Sequence, residues 1–191
     1  MPPRSETLQI GIVMRRQPGV TRWARWVWRA AAVLPGAGPA DWRELRRDGE
    51  AVEYHAATRP LTLHRADTEA YRVALSNEPP CVYVILRPEE TREVPGEQGP
   101  GLVVYMVTAS PYEAQDYQDS GEEIVEPVPM PPALIAWVSA FVGTHHVETP
   151  FVKRRRDRVD VGGEEDGRGD ARIEKAADVY LSPEAKRRRL Q

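Results

Sequence analysis

The chain contains a single cysteine, Cys81, among its 191 residues. It can therefore form neither an internal disulfide nor a multi-cysteine metal centre. Within Cys81-Val82-Tyr83-Val84-Ile85-Leu86 the thiol reads as a small apolar member of a strand. Long apolar runs are also missing, and nothing approaches the roughly 20 residues needed to cross a bilayer. Leu8 to Met14 is too short for a secretory signal, and Arg15-Arg16 follows it, the wrong order for a twin-arginine signal. These features predict a cytoplasmic protein without membrane contact. Phosphate loops of the GxxxxGK[ST] or GxGxxG type are absent, as is a GxSxG nucleophile elbow. Neither nucleotide cradling nor serine-type catalysis has a local signature here.

Proline, by contrast, is abundant, with 18 residues. So many prolines limit element length and favour short strands and loops over a helical bundle. Charge is spread unevenly. Residues 1–47 carry nine arginines against three acids, and residues 48–150 carry five against seventeen. Residues 151–191 carry twelve bases against nine acids. A near-neutral sum thus hides basic ends around an acidic middle, whose signs either compensate within the monomer or face separate partners.

Residues 1–7 read as a disordered leader, and the domain is expected over 8–152. Leu8, Ile10, Ile12 and Met14 alternate as in a half-buried strand. Arg22 to Leu34, with Trp23, Trp26 and Trp28, reads as a second strand closed by Pro35-Gly36. Asp41 to Arg46 resembles a capped helical turn, and Asp48-Gly49 a hairpin turn. Ala51 to Thr58 and Leu61 to Ala66 are expected as two strands parted by Arg59-Pro60. Tyr71, Val73 and Leu75 also alternate at a strand period. Cys81 to Leu86 is apolar enough for a central strand covered on both faces. An acidic loop at 88–100 should lead to a strand at Leu102 to Thr108. Ser110-Pro111-Tyr112-Glu113 is a capping box with proline at the first helical position, and Gly121 ends that helix. After a Pro-studded connector through Pro127, Pro129, Pro131 and Pro132, a second helix places Leu134, Val138, Phe141 and His145 on one face. Residues 153–191 read as a charged, mostly disordered tail. The predicted fold is α+β: one antiparallel sheet of about six or seven strands, open to curling toward a barrel, with two packed helices.

Each candidate site has a plain structural alternative. His145-His146 is the one histidine cluster, but adjacent helical residues point about 100° apart and cannot share a metal without unwinding. His145 as a cation at the helix C-terminus is the simpler reading. Glu122, Glu123 and Glu126, with Asp116 and Asp119, form an acidic patch that lacks any phosphate loop to complete a magnesium site. It reads as a docking surface for a basic segment, from a partner or from the chain's own tail. Lys153-Arg154-Arg155-Arg156 and Lys186 to Arg189 match polyanion-binding patterns, yet the acids between them cut the field and favour docking on a protein. Tryptophans interleaved with Arg25 and Arg29 could stack nucleic-acid bases. A cation–π ladder within the sheet uses the same residues without a ligand, and nucleic-acid binding is disfavoured.

Several runs together resemble a bacterial family classed as a domain of unknown function. They are Ala32-Val33-Leu34-Pro35-Gly36, Glu69 to Ser76, Val82 to Arg87, Pro111 to Gln115, Ser120 to Glu126, Pro129 to Pro132 and, most specifically, His145 to Arg156. The resemblance covers about residues 8–158. It implies a genetic neighbourhood rather than a reaction, since genes of this family are typically found beside those for formate dehydrogenase, ferredoxin-like proteins and maturation chaperones. Some members carry a molybdenum-cofactor guanylyltransferase label. That label implies an LxGGxSxRMG start, which this chain lacks. The resemblance carries over no catalytic residues and no cofactor.

The expected function is accordingly a non-catalytic accessory protein, bound to a formate dehydrogenase subunit or maturation factor. Glu122, Glu123, Glu126, His145, His146, Lys153, Arg154, Arg155 and Arg156 are its candidate partner-binding residues, with no catalytic, cofactor or metal residue assigned. The rival expectation is an enzyme or carrier for the anionic molybdenum cofactor or its nucleotide. Arg22, Arg25, Arg29 and the 153–156 run would then be the contacts, in a concave basic pocket.

Overall fold

Alternation at Leu8, Ile10, Ile12 and Met14 produces β1 (Ser5–Pro18), with Ile10, Ile12 and Met14 fully buried. The computed structural model describes residues 3–20, 25–89 and 101–147. Arg22, Trp23, the 90–100 loop, the 153–156 run and the tail lie outside the described residues.

Around β1 are β2 (Trp26–Pro35), β3 (Asp41–Asp48) and β4 (Ala51–His64), in an antiparallel sheet of order β2-β1-β4-β3. In β2 the inward side chains are Trp28, Ala30 and Val33. Ala31 is an extra residue opposite the Val13–Met14 step, so a bulge switches the face between Ala30 and Val33.

A 3₁₀ turn (Arg65–Asp67) leads into α1 (Thr68–Ser76), then β5 (Cys81–Glu89) and β6 (Gly101–Thr108). Next come α2 (Pro111–Ser120), β7 (Ile124–Pro129) and α3 (Pro132–His145). The second sheet is antiparallel, with order β6-β5-β7. Among the described residues, seven strands and three helices make the α+β fold expected, but the strands divide between two sheets instead of one, and no closed barrel forms. β4 runs against β6 and β2 against β7. Side chains span both seams: Arg59 Nε donates to the Val104 carbonyl at 2.8 Å, and Arg29 lies 3.6 Å from Glu126.

One buried cluster joins both sheets to α1 and α3, with Leu63, Val84, Leu86, Tyr71, Leu134 and Phe141 among its members. Burying a side chain such as Leu134 contributes roughly 1.5–3 kcal/mol. Leu134, Val138, Phe141 and His145 are the buried face of α3, as their spacing predicts.

Five local expectations change. Residues 5–7, read as part of a disordered leader, open β1 and pair with Thr62 to His64 of β4. Asp41 to Arg46 is strand, not a helical turn. Trp42 there has φ of 46°, an uncommon value for a bulky residue, and its ring meets Trp28 at 5.3 Å and Tyr54 at 6.2 Å. Pro60 does not split β4, because β3 begins opposite Ala57 and β4 beyond that point pairs in this sheet with β1 alone. Tyr71, Val73 and Leu75 belong to a helix, whose buried residues Thr68, Ala70, Tyr71 and Ala74 follow a helical period. The connector after Glu123 is β7, an edge position where Pro127 and Pro129 are tolerated opposite Tyr83 and Cys81.

Candidate functional site

The register of β5 against β6 contains the device that builds an organised surface cluster. Ile85 pairs with Met106 and Leu86 with Val104, leaving Tyr105 as an extra residue on β6. Such a bulge re-aims its side chain, and Tyr105 is 40% exposed between the buried Val104 and Val107. The Arg87 guanidinium covers its ring at 3.5 Å from the centroid, and Tyr117 of α2 meets it edge-on at 5.9 Å. Arg87 is held in turn by Glu123, with Nε donating at 2.9 Å and Nη2 at 2.8 Å from the same carboxylate oxygen. Ser120 donates to the other oxygen at 2.6 Å. The Ser120 hydroxyl and the Arg87 charge keep the Glu123 carboxyl below the usual carboxylate range.

Helix α2 is fixed where this cluster needs it. Ser110 Oγ accepts from the Glu113 amide at 3.2 Å, as a capping box requires. The return bond differs from the expected one. Thr108 Oγ1 accepts from the Ser110 amide at 3.0 Å and donates to the Glu113 carboxylate, so the box closes through Thr108. At the other end Gly121 takes φ of 72°, and its amide reaches the Gln118 carbonyl.

The structure separates the predicted site residues. Glu122 is exposed, Glu123 is bound by Arg87 and Ser120, and Glu126 faces Arg29 across the sheet seam. His145 is 6% exposed, with its ring 4.5 Å from that of Phe141 and its Nε2 without a partner. His146 points elsewhere. Arg72, which can only donate, gives Nη1–H to His146 Nε2 at 2.7 Å. Nδ1 therefore carries the hydrogen, which it donates to Thr68 Oγ1 at 3.1 Å, tying the end of α3 to α1. Among the described residues no cluster of histidine, cysteine or carboxylate side chains could hold a metal. Lys153, Arg154, Arg155 and Arg156 lie outside the described residues.

Trp28 packs against Trp42 and Tyr54, and Trp26 lies 4.3 Å from the Arg16 guanidinium. This is the in-sheet cation–π arrangement. Burial pushes the Cys81 thiol upward, and its Sγ donates to the Pro79 carbonyl.

A family model described as Protein of unknown function (DUF3305) matches residues 9–155. The chain belongs to that family. No curated protein and no solved structure matches it. The DUF3305 match includes Arg87, Tyr105, Tyr117 and Glu123, and all of the basic run except Arg156. Sequence reasoning missed the first three of these. Leu102 to Thr108 reads as ordinary strand, and nothing local marks Tyr105 as the bulged residue. No helix among the described residues is long and apolar enough to cross a membrane.

Proposed function

We propose that this DUF3305 protein is a non-catalytic accessory protein that binds a protein partner. The observation that carries the reading is the bulge-presented Tyr105, braced by Arg87 and Tyr117 beside the acidic Glu122–Glu126 segment. Tyrosine and arginine are enriched where truncation costs an interface most. A side chain already held in place loses little freedom on binding, so more of its contact energy appears as affinity. The family resemblance supports a molybdenum-dependent formate dehydrogenase, or a factor that matures it, as the partner.

The rival reading requires a concave basic pocket for an anionic cofactor. A cleft of about 510 Å³ has Asp67, Glu69, Glu113 and Asp116 in its lining, with no arginine or lysine among the described residues that line it, and does not suit an anion. Arg4 and Arg65 line a separate, more open depression, but neither Arg25 nor Arg29, which that reading names, is among its described lining.

The test is genetic. In a host that uses the dehydrogenase, loss of this protein should lower formate dehydrogenase activity. Wild type should restore that activity, and a folded Tyr105→Ala/Tyr117→Ala variant should not. Unchanged activity in the deletion host would contradict the assignment to this enzyme.

A further inference from the structure

The cleft is a built feature in its own right. Four segments converge on it: β4 with Pro60, Thr62 and His64, the 3₁₀ turn and α1 with Ala66, Asp67 and Glu69 to Tyr71, β6 with Met106 to Thr108, and α2 with Tyr112, Glu113 and Asp116. About 510 Å³ falls within the range of roughly 300–1,000 Å³ typical of ligand-binding clefts. Its walls include the apolar groups Pro60, Met106 and Val107, together with the Tyr112 ring.

Its polar groups are already oriented. The Tyr71 hydroxyl accepts from the His64 amide at 3.0 Å, and Thr108 fixes the Glu113 carboxylate. Glu69 lies 3.5 Å from Arg72, so its charge is partly answered. Asp67 and Asp116 come from different elements, the 3₁₀ turn and α2, and no cation of the described residues forms an ion pair with either. Arg4 and Arg65 line a neighbouring depression that shares His64 and Ala66 with the cleft.

We propose that this cleft receives a lysine- or arginine-rich segment of the partner protein. Apolar walls suit the methylene stems of those side chains, while Asp67 and Asp116 meet their charged heads. The cleft is roomy enough for more than one such side chain. The site rests on the protein-binding reading above but uses different residues from the Tyr105 surface, so each can fail alone.

The experiment uses the full chain and a fluorescently labelled eight-residue Lys/Arg peptide, followed by anisotropy. An acidic peptide of equal length should not bind. Asp67→Asn/Asp116→Asn should weaken binding of the basic peptide about tenfold, within the range for two exposed ion pairs. Ala66→Arg, which puts a cation on the exposed cleft lining, should block it. Asp48→Asn/Glu50→Gln removes two exposed charges elsewhere and should change nothing, as should Tyr105→Ala. Equal losses in the cleft and control pairs would mean bulk charge attraction and overturn the proposal. So would full binding by Ala66→Arg. Binding of spermidine or Mg²⁺ with the peptide excluded would make this a small-cation site, and would also overturn it.

Discussion

The Arg87 guanidinium lies 3.5 Å from the centre of the Tyr105 ring while two of its nitrogens hold the carboxylate of Glu123. One arginine thereby links a strand bulge to the turn after α2. The Glu123 side chain is only 5% exposed, so this link fixes a carboxylate that has little access to water. The Glu123 carboxyl, held low first by Ser120 and then by Arg87, contributes stability above its ordinary value of 4.5. That contribution is lost as pH falls through its lower folded-state value. An NMR titration should therefore place the Glu123 midpoint below 4.5, and Ser120→Ala or Arg87→Ala should raise it.

A second prediction concerns Gly11 on β1. A Cβ there would stand 2.5 Å from His55 Nε2 and 2.8 Å from Ala37 Cβ. Gly11→Ala should destabilise the domain by about 1–3 kcal/mol, the usual cost of overpacking, read from urea denaturation.

His55 itself is 1% exposed. Thr58 donates to the Gly38 carbonyl at 2.7 Å, so its oxygen accepts the His55 Nε2–H at 2.9 Å, and Nδ1 has no partner. Burial, and secondarily the charge of Arg43, push the imidazole below its ordinary 6.5. Between its folded value and 6.5 the unfolded chain binds the extra proton. Stability should rise with pH across that window and be lost as pH falls through it. His55→Gln should flatten the slope in urea midpoints measured across the window.

The Ser110 cap gives a fourth expectation. Ser110→Ala should cost about 1 kcal/mol, because the Glu113 amide loses its acceptor. The first turn of α2 should then exchange its amide hydrogens faster.

Much of this architecture is legible from local chemistry. The alternation in β1, the apolar run of β5, the Ser110 cap, the Gly121 stop and the inward stripe of α3 each report a short-range rule. Failures came where tertiary context decides. Pro60 breaks a strand only where its amide is needed, and partner length is not written in the sequence. Tyr71 to Ser76 is too short for period two and period 3.6 to be told apart reliably. The acidic segment was visible, yet not that Glu123 and Glu126 face arginines brought from β5 and β2. Tyr105 depends on a register shift between strands, which pattern reading along one strand does not reach.

Affinity capture of the tagged full chain, from a host making the molybdenum-dependent formate dehydrogenase, tests the central claim most directly. Wild type should retain a dehydrogenase subunit or maturation factor, identified by mass spectrometry, and Tyr105→Ala should lose at least most of it while remaining folded. Retention of the same partner by both, or of neither class by wild type, would contradict the account.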